Sequence, residues 1–188
     1  MKSLMSVEAS RLVSKSVLLG AFFVGFTAAY ANNDDRGGIV PYIYLNYGQT
    51  DISLGEGDGE KDDSGDVLIV RGGGHFGGAD GIHALEGRIG YQLDEDSETE
   101  IDTLSAIHYR ARLSGRALSA ELLAGVAAVQ VSAEGLVTDP SFGPSYGAAV
   151  GLNLLRDLWV SAEYMIYSEE DDEVPEVIST TVGLRYVF

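Results

Sequence analysis

The sequence predicts an all-β chain: an eight-stranded antiparallel up-and-down transmembrane β-barrel, preceded by a cleavable signal peptide. Three observations predict it. Apolar and polar residues alternate with period two over many stretches, the mark of two-faced strands. One face of these stretches carries Leu, Ile, Val and Tyr with almost no charge, while the other is rich in Gly, Ala and ionised side chains. The sequence ends in VGLRYVF, Val182 to Phe188, which reads as mid-strand and stops on an aromatic residue, where termini are usually polar and frayed.

The first element to set aside is residues 1–31. Lys2, Arg11 and Lys15 form a positive segment, Ser16 to Phe26 an apolar one, and Ala29-Tyr30-Ala31 a small-x-small cleavage site followed by Asn32, Asn33 and Asp34. This is the layout of a secretory signal peptide. The alternative is an N-terminal anchor, but the apolar run from Val17 to Ala31 falls short of the roughly 20 residues a spanning helix needs. Residues 32–188 are then the barrel domain. The 188-residue chain has a formal charge of −17. The leader holds three Lys or Arg and one Glu, so the remainder carries −19. Such a chain repels nucleic acid. It has no cysteine, which suits an exported protein that needs no disulfides. No apolar run after Ala31 is long enough for a helical span.

Eight strands are predicted near 39–50, 65–72, 81–93, 100–113, 117–132, 144–155, 158–168 and 176–188. The stretch 83–93 is the clearest: His83, Leu85, Gly87, Ile89, Tyr91 and Leu93 alternate with Ala84, Glu86, Arg88, Gly90 and Gln92. Tyr146 to Leu154, Leu158 to Ile166 and Ile178 to Phe188 repeat the pattern. Residues 65–72 are less defined, because VLIV is apolar on both faces. Between the strands, residues 51–64, 94–99, 133–143 and 169–175 read as longer or acidic connections. Residues 73–80, 114–116 and 156–157 read as shorter turns.

Which face is which separates a membrane barrel from a soluble sandwich. The polar face holds Glu86, Arg88, Asp102, His108, Arg110, Glu121, Glu163 and Arg185. Opposite charges and small residues suit the inside of a narrow barrel, which side chains must fill. The uncharged face suits lipid, where a charge near the midplane costs about 2–4 kcal/mol. Only closure hides every backbone group from lipid. Tyr91, Tyr146, Tyr164 and Tyr186 fall near strand ends, the level of an aromatic girdle. Tyr42 and Tyr44 fall on the inner face.

The signal peptide, the PYIYLNYG opening, the YGAAVGLNLLRDLWVSAEYM hairpin and the VGLRYVF ending resemble the small bacterial outer-membrane β-barrel family. The OmpA transmembrane domain and OmpX-like, porin-family proteins are among its members. The resemblance implies the Gram-negative cell outer membrane, with lipid and lipopolysaccharide around the barrel. It also implies a monomer, inserted by the barrel assembly machinery. That machinery would read an assembly signal at Leu184, Tyr186 and Phe188. The sequence departs from full-length OmpA-type proteins in showing no second, peptidoglycan-binding domain after the barrel.

Motifs that suggest chemistry are weak. Gly72, Gly74 and Gly77 match a dinucleotide fingerprint, but a strand pattern follows where a helix is needed. Gly143 to Gly147 match G-x-S-x-G around Ser145, again without the helix of a nucleophile elbow. Some eight-stranded outer-membrane barrels modify lipid A through a closely spaced His and Ser; here Ser105 and His108 are three apart and point to opposite faces. A secreted lipocalin-like binder would need an apolar interior, and this one reads as charged. No catalytic, cofactor-binding or metal residues are assigned. The acidic stretches DISLGEGDGEKDDSGD, DEDSETE and SEEDDEVPE read as solvated loops, with divalent cations as a further reading. The expected role is structural or surface-interactive, not enzymatic. The lumen would be charged and largely plugged, with at most narrow conductance. The lumen ions would form either a satisfied plug or a gate that opens by exchanging partners.

Overall fold

The computed structural model describes residues 38–54, 61–76, 82–93, 99–115, 117–133, 136–137, 140–168 and 176–188. The signal peptide expected over residues 1–31, and most of the acidic loops, lie outside the described residues.

Among the described residues nine strands follow one another: β1 (Val40–Leu54), β2 (Lys61–Phe76), β3 (His83–Gln92), β4 (Thr99–Ser114), β5 (Leu118–Ala133), β6 (Leu136–Val137), β7 (Ser141–Leu155), β8 (Leu158–Ser168) and β9 (Glu176–Val187). The two-residue β6 folds back on the end of β5. The other eight pair antiparallel with their neighbours in sequence order, and β1 pairs with β9. The sheet therefore closes on itself with no free edge between long strands. Closure reaches the last residue, whose amide donates to the Pro41 carbonyl at 3.0 Å.

The predicted alternation sets the faces. Leu45, Leu85, Ile107, Leu122, Val126, Val150, Leu184 and Phe188 are exposed on the outer wall, together with Tyr47, Tyr109, Tyr146, Tyr164 and Tyr186. Tyr42 and Tyr44 are buried inside. Among the described residues no helix is long and apolar enough to cross a membrane.

Three strand boundaries differ from the sequence reading. β1 and β2 run through 51–54 and 61–64, which read as loop, because the ladder continues from Asp51↔Ser64 to Leu54↔Lys61 with no acidic residue opposite another. β2 also continues to Phe76 through Gly72-Gly73-Gly74, read partly as a Gly-rich turn. Glycine is needed there inside a strand: a Cβ on Gly73 would strike the Tyr42 ring that lies across it. β7 begins at Ser141, ahead of Pro144.

The two ends of the barrel differ. At one end Arg156-Asp157 turn β7 into β8, and Gly115 bonds Leu118 where β4 ends and β5 begins. At the other β1, β3, β5 and β8 end. Stretches 51–66, 94–100, 134–139 and 168–176 hold twenty acidic residues against one lysine.

Candidate functional site: the filled lumen

The lumen has two zones. Toward the loop end it is mostly apolar, with the Thr50 and Ser179 hydroxyls buried beside it. Ile52, Val67, Ile69, Ile101, Leu104, Val129, Val131, Met165, Tyr167 and Val177 form one buried cluster. The sequence reading expected a charged interior; this apolar zone lies beside the charged one. In β2, Val67 and Ile69 point inward while Leu68 and Val70 lie on the opposite face. Both faces are apolar, which is why no alternation shows there.

The middle of the barrel and its short-turn end are ionic. Glu86 on β3 receives Arg110 at 2.5 Å, Arg88 at 2.8 Å and Arg71 at 3.5 Å, and accepts the Tyr42 hydroxyl at 3.1 Å. Glu163 on β8 holds Arg71 and, at 2.8 Å, Arg88. Glu121 on β5 takes Arg110 at 2.8 Å, Arg185 at 3.0 Å and Arg112 at 3.5 Å. All eight side chains are at most 5% exposed. Arg71 and Arg88 stand directly opposite each other in the β2–β3 register, a repulsive placement for like charges. Glu163 bonds both and Glu86 lies against both, which offsets the repulsion.

Aromatic rings complete the packing. The Tyr44 ring has the guanidinium carbons of Arg71, Arg110 and Arg185 at 3.9, 4.9 and 5.3 Å from its centre. Arg110 also donates to the Tyr44 hydroxyl at 2.8 Å. Trp159 has Arg112 at 4.4 Å and Arg185 at 4.7 Å. Such contacts favour a cation over a ring face, the more so when desolvated.

Of the lumen residues expected from sequence, Glu86, Arg88, Arg110, Glu121, Glu163 and Arg185 come together in this cluster. Asp102 does not. The β4–β5 register slips between Ile101 and Thr103, so Asp102 occupies a bulge and leaves the parity of His108 and Arg110. It accepts from the Ser132 hydroxyl instead. Sequence reasoning missed Arg71 and Arg112. The signal for both was that a charge on a spanning strand cannot face lipid, and Arg112 also shares the parity of Arg110.

His108 lies beside the cluster and bonds Ser145. Its Nε2 is 2.9 Å from Ser145 Oγ. Gly125 on β5 is paired with both residues, His108 on one side and Ser145 on the other. Without a side chain at Gly125 the imidazole reaches across. A Cβ there would strike the Ile107 carbonyl. Ser145 gives its own proton to the Ile166 carbonyl at 3.0 Å, so the imidazole donates to the serine. A nucleophilic pair needs the opposite polarity and a third group that orients the base. His108 Nδ1 has no partner among the described residues. Ser145 sits inside a strand, not at an elbow, and Gly72 and Gly74 likewise lie within β2. Ser105 and His108 occupy opposite faces of β4. No group of three or more His, Cys, Asp or Glu among the described residues is placed to hold a metal ion.

A closed, eight-stranded wall with an apolar exterior and an ionic interior is the build of a bacterial membrane barrel. The sequence profile of the outer membrane protein beta-barrel domain matches residues 17–188. The chain belongs to this outer-membrane barrel family. Its place is the outer membrane. Among solved structures, Neisserial surface protein A is similar in fold, with a TM-score of 0.61 at 14% identity over 79% of this chain and 97% of that one. The N-terminal β-barrel domain of Pseudomonas aeruginosa OprF has a TM-score of 0.57 at 14% identity, covering 81% and 99%. Ail, the attachment invasion locus protein of Yersinia pestis, solved with the heparin analogue sucrose octasulfate, has a TM-score of 0.55 at 17% identity, covering 80% and 99%. No curated protein matches the sequence.

Proposed function

We propose that this protein is a structural or surface-interacting barrel of the outer membrane that does not carry a solute flux. The observation that carries the reading is that both lumen zones are filled. The ion cluster satisfies its carboxylates from several strands at once. The apolar cluster beneath the loops adds a second barrier that no ion crosses without dehydrating. The ionic zone acts as a plug: opening it by partner exchange would still leave the apolar zone shut. His108 and Ser145 are buried in the lumen, away from lipid, which favours a non-enzymatic role over lipid A modification.

The loop end faces outward in this reading, amid lipopolysaccharide. With twenty acidic residues and one lysine, it disfavours sulfated polyanions of the kind crystallised with Ail and favours basic partners. The leader is cleaved after Ala31, and Leu184, Tyr186 and Phe188 serve the assembly machinery. Their exposed row, at 50, 47 and 64%, is available to a receptor before the sheet inserts. The barrel is a monomer whose closed sheet needs no partner strand.

Orientation is directly testable because the chain has no cysteine. A Ser64→Cys variant labels the loop end, and Asp157→Cys the short-turn end. Membrane-impermeant maleimide on intact cells should modify the first and spare the second. The reverse result, or equal labelling of both, overturns the reading.

A further inference from the structure

The lumen cluster is not neutral. Five arginines, Arg71, Arg88, Arg110, Arg112 and Arg185, face three carboxylates, Glu86, Glu121 and Glu163. A double positive excess is thus buried inside a chain whose formal charge is −17. Uncompensated buried charge is strongly unfavourable, so its location matters.

The excess lies toward the short-turn end. Glu86 and Glu163 share Arg71 and Arg88, which leaves that pair of carboxylates balanced. Glu121 takes Arg112 and Arg185 and shares Arg110 with Glu86. Arg112 and Arg185 both stack on the Trp159 ring, which holds two like charges near one another. Arg185 is fully buried, yet its Nη2 has no partner among the described residues. His75, also fully buried, has neither ring nitrogen bonded among the described residues. It packs against Tyr42, with ring centres 4.6 Å apart. The carboxylate among the described residues that pairs with Arg112 and Arg185 is Glu121, already shared three ways. Two guanidiniums and an unbonded N–H therefore converge at Trp159, where positive charge is in excess.

We propose that this end of the lumen is a binding site for a small oxyanion, of the phosphate or sulfate class, held by Arg185 and Arg112. Planar guanidinium forks suit two oxygens of one anion. The apolar zone closes the far side, so the anion reaches these arginines from the short-turn end. It is distinct from any loop-end interaction, and its polarity is opposite.

Trp159 is the only tryptophan and stacks on both arginines, so it reports occupancy. The experiment titrates the refolded, full-length barrel in detergent with sodium phosphate or sodium sulfate at constant ionic strength in sodium chloride. Trp159 emission is followed, and heat-modifiable migration checks the fold of each variant. The expected result is a saturable change with phosphate or sulfate. Arg112→Gln should weaken it about tenfold or more, the loss of a hydrogen bond to a charged group. Glu121→Gln should tighten it, because the competing carboxylate charge is gone. If Arg112→Gln does not fold, the Glu121→Gln arm decides. A response that follows ionic strength alone, or one that both variants leave unchanged, means that water rather than an ion satisfies these donors, and it overturns the proposal.

Discussion

Glu86→Gln is the sharpest test of what holds the barrel together. Glu86 is 1% exposed and is approached by three guanidiniums, at 2.5, 2.8 and 3.5 Å, and by the Tyr42 hydroxyl. Glutamine keeps the shape and one acceptor oxygen but removes the charge and places an amide donor among cations. The lumen excess rises from two positive charges to three. Removing one partner of a buried ion pair costs about 3–5 kcal/mol. Retained hydrogen bonding through the amide oxygen places the expectation at the lower end, about 3 kcal/mol, a roughly hundredfold fall in the folding constant. Tyr42→Phe removes only one hydrogen bond to the same carboxylate and should cost about 1.5–3 kcal/mol. The assay is reversible urea unfolding in lipid vesicles, read by the gel shift between folded and unfolded forms. A Glu86→Gln variant within about 0.5 kcal/mol of the parent would refute the claim that this carboxylate anchors the interior.

Other consequences follow from particular positions. Asp102→Asn should change stability by less than about 0.5 kcal/mol in the same assay, since Asp102 sits at a bulge outside the ion cluster. Gly125→Val should abolish the heat-modifiable form, because a side chain there meets the Ile107 carbonyl and displaces His108. Gly143→Ala, whose Cβ meets nothing within 4 Å, should fold normally. Val126→Arg places a charge mid-strand on the lipid face, where Val126 is 61% exposed; it should cost about 2–4 kcal/mol in vesicle unfolding.

Sequence and structure agree where the two faces of a strand differ in chemistry. Glu86 and Arg88 sit among apolar neighbours on a period of two, and lipid disfavours charge in mid-strand, so their inward direction was legible. The same rule reaches Arg71, but the flanking Val67 to Val70 masked it. There the lumen itself is apolar, and alternation vanishes when both surroundings want hydrocarbon. Asp102 failed for a different reason. A bulge shifts parity by one residue and leaves no mark in composition. The link between His108 and Ser145 depends on register across β4, β5 and β7, with Gly125 between them. Period-two counting within single strands carries no such information. The pairing of β1 with β9 was legible as closure, because an open edge in lipid strands unpaired backbone groups.

The central claim is that the lumen is filled from end to end, with the ion cluster backed by the apolar zone of Ile69, Leu104, Val129 and Met165. Planar-bilayer recording of the refolded protein tests it most directly. The account predicts no discrete conductance steps for the parent chain. It predicts none for Glu163→Gln or Arg185→Gln either, since loosening the ionic zone leaves the apolar one in place. Stepwise ion-selective conductance in the parent, lost or altered in those two variants, would contradict it and identify the ion cluster as a gate.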